Sequence, residues 1–259
     1  MQQITRSGRY FYAITLIAFG VIQFVKGNFM DAILPVPESL PGRMILVYLV
    51  SVIFIAAGAG IFTNKIAKPA AVLVGVLFFL LLIYPQLVSL FADIHNGNDW
   101  AVVGEIGVLC GGAFIIAGTI TDGHYRKPGF TDRMIKSGRF FFAFSLFIFG
   151  VEHFVFADYI ATLIPSWIPF RLFWTYFVGV AFFAASISII IKVKTRLACL
   201  LLGFMFLFWV IFVHSPRVIA SPQKEPEWTS LFVAMGFCSI FFTLAGISLR
   251  PGTAEPERR

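Results

Sequence analysis

Charge is scarce in this sequence. Asp, Glu, Lys and Arg make up only 13% of its 259 residues, against the roughly 25% of a soluble domain, and that shortage excludes an ordinary water-soluble globule. Cysteine is nearly absent as well. Cys110, Cys199 and Cys238 form no C-x-x-C pair, which excludes a thiol relay of that kind, and each reads as a small apolar filler of a helix. The chain also lacks a Gly-rich phosphate loop, a nucleophile elbow and a dinucleotide fingerprint. Nucleotide and acyl-transfer chemistry therefore have no motif to rest on.

What the chain has in abundance is long hydrophobic runs. Several exceed the ~18 apolar residues needed to cross a ~30 Å hydrocarbon layer, and they do not alternate as the strands of a membrane barrel would. Irregular backbone is too costly in lipid, so the runs predict helices. Eight are expected, at residues 10–26, 44–62, 69–91, 101–120, 140–157, 172–191, 197–215 and 229–248. Arg6 and Arg9 before an apolar run resemble the start of a secretory signal, but a near-copy of that helix recurs in mid-chain, so both are expected to be retained.

The net charge of +7 does not call for nucleic acid as a partner. In an eight-helix arrangement only Lys26, Arg43, Arg171, Arg217 and Lys224 fall on one side, and the other basic residues gather on the opposite one. By the positive-inside rule both termini are cytoplasmic, and the protein partner expected first is the lipid bilayer itself.

The sequence states one motif twice. Residues 7–24 read SGRYFYAITLIAFGVIQF and residues 137–154 read SGRFFFAFSLFIFGVEHF, with Ser-Gly-Arg, Phe-Gly-Val and a closing Phe in common. The correspondence continues through Arg43 and Arg171, Tyr48 and Tyr176, Gly75 and Gly203, Trp100 and Trp228, and Cys110 and Cys238. A repeat of this length is one architectural unit. The expected fold is an all-α membrane protein whose eight transmembrane helices form two parallel four-helix repeats. The units cover residues 1–120 and 137–250, joined by a basic cytoplasmic linker at 121–136 and followed by a polar tail at 251–259. Four helices per unit bring each copy in from the same side, so the repeats run parallel rather than inverted.

Paired positions suggest roles. Trp100 and Trp228 suit the outer headgroup region, Arg9 and Arg139 can snorkel at the inner one, and Gly107, Gly111, Gly118 and Gly246 suit close helix contact in lipid.

Polar side chains within spans are costly and point to function. Gln23 and His153 align in helices one and five, and Gln86 and His214 align in helices three and seven. At ~1.5 Å per residue both histidines fall in the outer half of the membrane, with Glu152 and Arg171 nearby in sequence, Arg43 as the counterpart of Arg171, and Pro165, Trp167 and Pro169 in the loop above. Three readings stay open. The Gln and His side chains tie helices together; or His153 and His214 bind a lipophilic molecule with polar atoms, such as a quinone or a lipid headgroup, where imidazole can donate, accept or carry a proton; or they are axial ligands to a haem. Asp93, His95 and Asp99 in an outer loop lack the spacing of a metal site and read as a hydrated acidic loop, and His124 in the linker reads as solvated. No metal is expected.

G-V-E-H-F at Gly150 to Phe154, I-P-x-W-x-P at Ile164 to Pro169, Y-F-x-G at Tyr176 to Gly179 and the outer His214 together resemble the DoxX-like (DoxX/DoxD) membrane proteins. The resemblance covers the second copy well and the first more loosely. It implies a multi-pass protein of the bacterial inner membrane. DoxD relatives belong to a thiosulfate:quinone oxidoreductase and some DoxX relatives accompany redox enzymes, so it further implies a redox partner and a quinone as candidate cofactor. Two features depart from that pattern: Phe182 and Phe183 stand where relatives often carry a Glu, and no soluble DoxA-like domain is appended. A quinone- or lipid-binding membrane component of a redox system is the leading expectation. A non-catalytic scaffold or assembly factor and a small-solute carrier are its alternatives; parallel repeats without helices broken at the midplane weigh against the carrier.

Overall fold

The computed structural model describes residues 2–31, 33–34, 36–120 and 128–248. Pro35, residues 121–127 of the linker with His124, and the C-terminal tail lie outside the described residues. Every regular element described is helical: α1 (Gln2–Lys26), α2 (Arg43–Thr63), α3 (Ala67–Leu81), α4 (Leu87–Ala92), α5 (Gly97–Thr119), α6 (Pro128–Val155), α7 (Ala157–Leu163), α8 (Arg171–Ile191), α9 (Thr195–Trp209), α10 (Ser215–Ala220) and α11 (Glu225–Ile247). Eight segments are long and apolar enough to cross a membrane: α1, α2, α3 through α4, α5, α6, α8, α9 through α10, and α11. By length and composition this is a multi-pass membrane protein.

The eight expected spans are all present, with two differences. Helices overrun the apolar runs at their N-terminal ends: α1 starts at Gln2 and α6 at Pro128. Once nucleated, a helix adds residues at little cost until a breaker intervenes, and the added turns of α6 carry a Lys136–Asp132 ion pair of 2.7 Å one turn apart. The third and seventh spans are also not continuous α-helix. Each departs from α-helix in its C-terminal half: at a kink within Leu82–Gln86, where Tyr84 leaves helical geometry (φ −148°, ψ 118°), and at a widened π turn at Val210–His214. Pro85 lies inside the first and supplies no N–H to the preceding turn. In the second, Pro216 removes a donor just beyond, and the Ser215 hydroxyl donates back to the carbonyl of Val210 at 2.6 Å. Such turns concentrate at functional sites.

The helices close into a circuit. α1 packs on α2, α2 on α3, α3 on α5, α5 on α6, α6 on α8, α8 on α9, α9 on α11, and α11 back on α1. α5 and α11 also pack on each other, so the circuit is pinched into two five-helix rings that share this central pair. Most residues of these two helices are accordingly buried, while in the apolar window of each of the other six spans fewer than half are.

The most extensive interface is α5 with α6, and its closeness requires glycine. A Cβ on Gly111 would sit 2.6 Å from the carbonyl oxygen of Gly138, and one on Gly138 would collide with the carbonyl of Gly111 in return. With little hydrophobic drive between helices in lipid, such backbone-to-backbone packing is what holds them together. The α1–α11 interface is built in the same way, with Gly8 against Ser239 and Thr243.

Contacts recur in matched pairs. The Cys110 thiol donates to the carbonyl of Gly75 (3.5 Å) and the Cys238 thiol to that of Gly203 (3.4 Å). The indoles of Trp100 and Trp228 donate to the carbonyls of Ile94 (2.9 Å) and Pro222 (2.8 Å), each in the loop just before its helix. Arg9 reaches the side chain of Asn64 after α2 at 3.0 Å, so it joins two elements at the inner end rather than projecting freely.

Candidate functional site

The last turns of α6 carry Glu152 and His153 on adjacent faces. Glu152 is buried. His153 is half-buried and packs on α8, where Gly179 makes room for its Cβ and Phe182 meets its ring edge-on at 5.2 Å. Gly179 is eight residues into α8, about 12 Å below its outer end at 1.5 Å per residue. Helical side chains lean toward the helix N-terminus, and for α6 that carries the imidazole toward the midplane.

Its hydrogen bond decides what the ring can do. Nδ1 lies 2.7 Å from the carbonyl oxygen of Phe149 on the same helix. A carbonyl only accepts, so Nδ1 donates, and in the neutral ring Nε2 is then an acceptor open to another partner. Gln23 behaves differently at the aligned position. Its amide donates across to the Val47 carbonyl on α2 at 3.0 Å, tying two helices, while its Oε1 is buried without a partner.

His214 closes the π turn that joins α9 to α10, half-buried, its Nδ1 buried without a hydrogen bond. It stands near an ion pair between Arg217 and Glu227, 2.8 Å apart, that links α10 to α11. The aligned pair in the first half is neutral on one side: the Ser89 hydroxyl donates to Asp99 at 3.0 Å. Gln86, aligned with His214, has its Oε1 buried and unpartnered.

The predicted site residues are thus brought together only in part. Glu152, His153 and His214 all belong to the outer half of the ring formed by α5, α6, α8, α9 and α11. No direct contact joins the two imidazoles among the described residues. The ring of His153 meets Phe182, and Phe182 meets Phe206 on α9 (5.9 Å) about two turns inward of His214. Arg171 is exposed at the outer end of α8, about 12 Å above Gly179, and does not approach Glu152. Its counterpart Arg43 is fully engaged, with Asn28, the Val36 carbonyl, Asp31 (3.4 Å) and the ring of Phe29, and knits the outer loop of the first half. Asp93 accepts from the backbone of His95 at 3.1 Å and Asp99 from Ser89, so the outer acidic residues serve turns and a helix start. Among the described residues no three His, Cys, Asp or Glu are grouped to hold a metal ion. A shallow apolar groove lined by Val21, Ile22, Val25, Lys26 and Trp228 opens on the α1–α11 face, away from this cluster.

The residue missed is Glu105. It sits on α5, half-buried, eight residues or about 12 Å from the start of the helix. Its signal was present as a lone acid inside an apolar span. A search through aligned pairs passes over it because Val233 stands at its counterpart.

Residues 142–236 match a family model described as Domain of unknown function (DUF8561). The stretch runs from α6 into α11 and contains Glu152, His153, His214, Arg217 and Glu227, but not Glu105. No curated protein matches the chain, and no solved structure matches it.

Proposed function

We propose that this protein is a ligand-binding membrane component, holding a quinone-like or lipidic molecule in the outer half of the ring that contains Glu152, His153 and His214. The observation that carries the reading is the orientation of His153. A helix tie must cross to a neighbour, as Gln23 does to Val47, whereas His153 bonds within its own helix and keeps Nε2 for something else. His214, with an unpartnered buried nitrogen beside a π turn, supports the same conclusion, because buried polar atoms are seldom left unsatisfied. The first half differs: Gln23 ties α1 to α2 and Arg43 knits a loop, while Gln86 keeps a buried, unpartnered Oε1 of its own.

The wider frame belongs to this proposal. Two fused, parallel four-helix units of DoxX-like type account for the paired Cys, Trp and Gly contacts, with the second unit carrying the site. The distribution of Lys and Arg supports cytoplasmic termini, and a bacterial inner membrane and a redox-enzyme partner are what the resemblance suggests. The breaks in the third and seventh spans lie in their outer parts rather than at the midplane, which favours a one-sided binding site over a carrier.

The test is purification in mild detergent, followed by extraction and mass spectrometry of bound lipophiles, for wild type and His153→Gln/His214→Gln. A quinone or specific lipid retained by the wild type and reduced by about tenfold or more in the double variant, as loss of one or two hydrogen bonds to a buried ligand implies, is the expected result. Identical profiles from two equally folded proteins would return the histidines to a structural role.

A further inference from the structure

At the end of the bundle where α1 and α6 begin, the two halves differ in one residue that changes their chemistry. In the first half Arg9 of α1 donates to the side chain of Asn64, just after α2, at 3.0 Å. In the second half Arg139 of α6 holds the position of Arg9, and Lys192, just after α8, holds that of Asn64. A cation thus replaces an acceptor. The packing of α6 on α8 keeps the two positions opposite each other. Ser186 of α8 donates to the carbonyl of Ala143 at 2.7 Å, Gly150 faces the ring of Phe183, and Gly179 faces the Cβ of His153. Residues 139, 143, 146, 150 and 153 form one stripe of α6, and these antiparallel contacts lay that stripe on α8. One turn before Ala143 the stripe reaches Arg139, at the level of the last turn of α8 and Lys192.

Arg139 is half-buried, with its Nε buried and lacking a hydrogen-bond partner. Lys192, Lys194 and Arg196 follow across the α8–α9 turn, all exposed. Among the described residues none of these four cations is in an ion pair, and Asp132, the acid at the same end of α6, is held by Lys136 at 2.7 Å. Topology explains why basic residues gather at one end of the spans. It does not require one of them to stand where the other's acceptor belongs. Cations opposite one another repel, and a buried N–H without an acceptor is costly. An anion shared between Arg139 and the α8–α9 turn removes both penalties. The surface below indicates what carries that anion. Ile187, Ile190 and Ile191 of α8 and Leu197 and Leu201 of α9 are each more than half exposed, and α8 and α9 pack on each other less than any other neighbours around the circuit. Cations above an apolar seam suit a phosphate that bears acyl chains.

We propose that Arg139, Lys192, Lys194 and Arg196 bind the phosphate of an anionic phospholipid whose acyl chains lie along the α8–α9 seam. The site is at the opposite end of α6 from Glu152 and His153, so it does not depend on the ligand proposed there.

The test titrates phosphatidylglycerol into delipidated full-length protein in mild detergent and counts bound lipid by native mass spectrometry, for wild type, Arg139→Gln, Lys192→Asn and Lys65→Asn. Lys192→Asn supplies the residue of the first half, and asparagine tolerates the left-handed backbone at this position (φ 61°), so this variant keeps its fold even where Arg139→Gln fails to. Lys65→Asn removes the same charge from the matching turn between α2 and α3 and controls for bulk charge. The expected result is saturable binding to the wild type, with Kd raised about tenfold or more in Arg139→Gln and Lys192→Asn and less than about twofold in Lys65→Asn, as loss of a charge-assisted contact to phosphate implies. The proposal is overturned if folded Lys192→Asn binds as the wild type does, or if all three variants lose binding equally. Equal affinity for phosphatidylcholine, whose headgroup has no net charge, would also overturn it. So would displacement of the lipid by inorganic phosphate alone, which would make the occupant a soluble anion.

Discussion

His153→Leu should lower the amount of wild-type-specific lipophile that co-purifies by about tenfold or more while leaving the fold intact. The separation follows from the geometry of the two aligned residues. Among the described residues His153 makes no hydrogen bond to another helix, only one to Phe149 within α6. A leucine of similar bulk can replace the ring against Phe182 and Gly179 at a cost below about 1.5 kcal/mol. For a chain of this size that corresponds to a shift of a few degrees in Tm, since about 1 kcal/mol moves it by roughly 2–4 °C. Gln23→Leu should do the reverse. It removes the bond to the Val47 carbonyl, worth about 0.6 kcal/mol on average and up to ~1.7 between helices in a membrane, and leaves the lipophile in place. Thermal melting of both variants in the same detergent, beside their extracts, is the check. A His153→Leu protein that melts far below wild type would show that the imidazole holds the bundle together after all.

Gly138→Leu should prevent normal folding. At this position not even a Cβ fits, because it would meet the carbonyl of Gly111 and the side chain of Ile115. Ordinary overpacking costs about 1–3 kcal/mol when neighbouring side chains can shift, but here the obstacle is backbone on the most extensively packed pair of helices. The expected outcome is aggregated protein, or a melting temperature lowered by 10 °C or more on the same roughly 2–4 °C per kcal/mol scale. Gly129→Leu is the matched control. It lies near the start of the same helix, exposed and with no atom of the described residues in the way of a side chain, and a surface substitution of this kind stays within about 0.5 kcal/mol. Size-exclusion profiles after graded heating distinguish the two variants. A monodisperse Gly138→Leu protein with wild-type stability would mean that α5 and α6 are not packed as described.

Both predictions begin from residues that the sequence singled out for different reasons. Gly111 is recognisable as a small residue suited to close helix contact, and Gly138 as part of a Ser-Gly-Arg stated twice, yet neither pattern says that the two glycines face each other. The histidines are legible as costly polar groups in apolar spans. Whether such a group crosses to a neighbour or turns back on its own helix is set by side-chain direction and by what stands opposite, and the chain alone shows neither. Glu105 was equally visible as a lone acid in an apolar span, but only the packing of α5 shows it half-buried.

The sequence by itself determined the number of spans, their apolar limits, the matched positions in the two halves and the small set of polar residues inside them. It could do so because transfer of a side chain into hydrocarbon is a local quantity, summed along the chain residue by residue. Tertiary structure alone decided that the helices close into two rings sharing α5 and α11, and that the third and seventh spans break at a kink and a π turn. It also decided that Arg171 stays exposed at the start of α8 while Glu152 is buried on α6. Each of these depends on which surfaces meet, and where apolar helix faces differ little from lipid, that choice rests on backbone fit and on a few polar groups far apart in sequence.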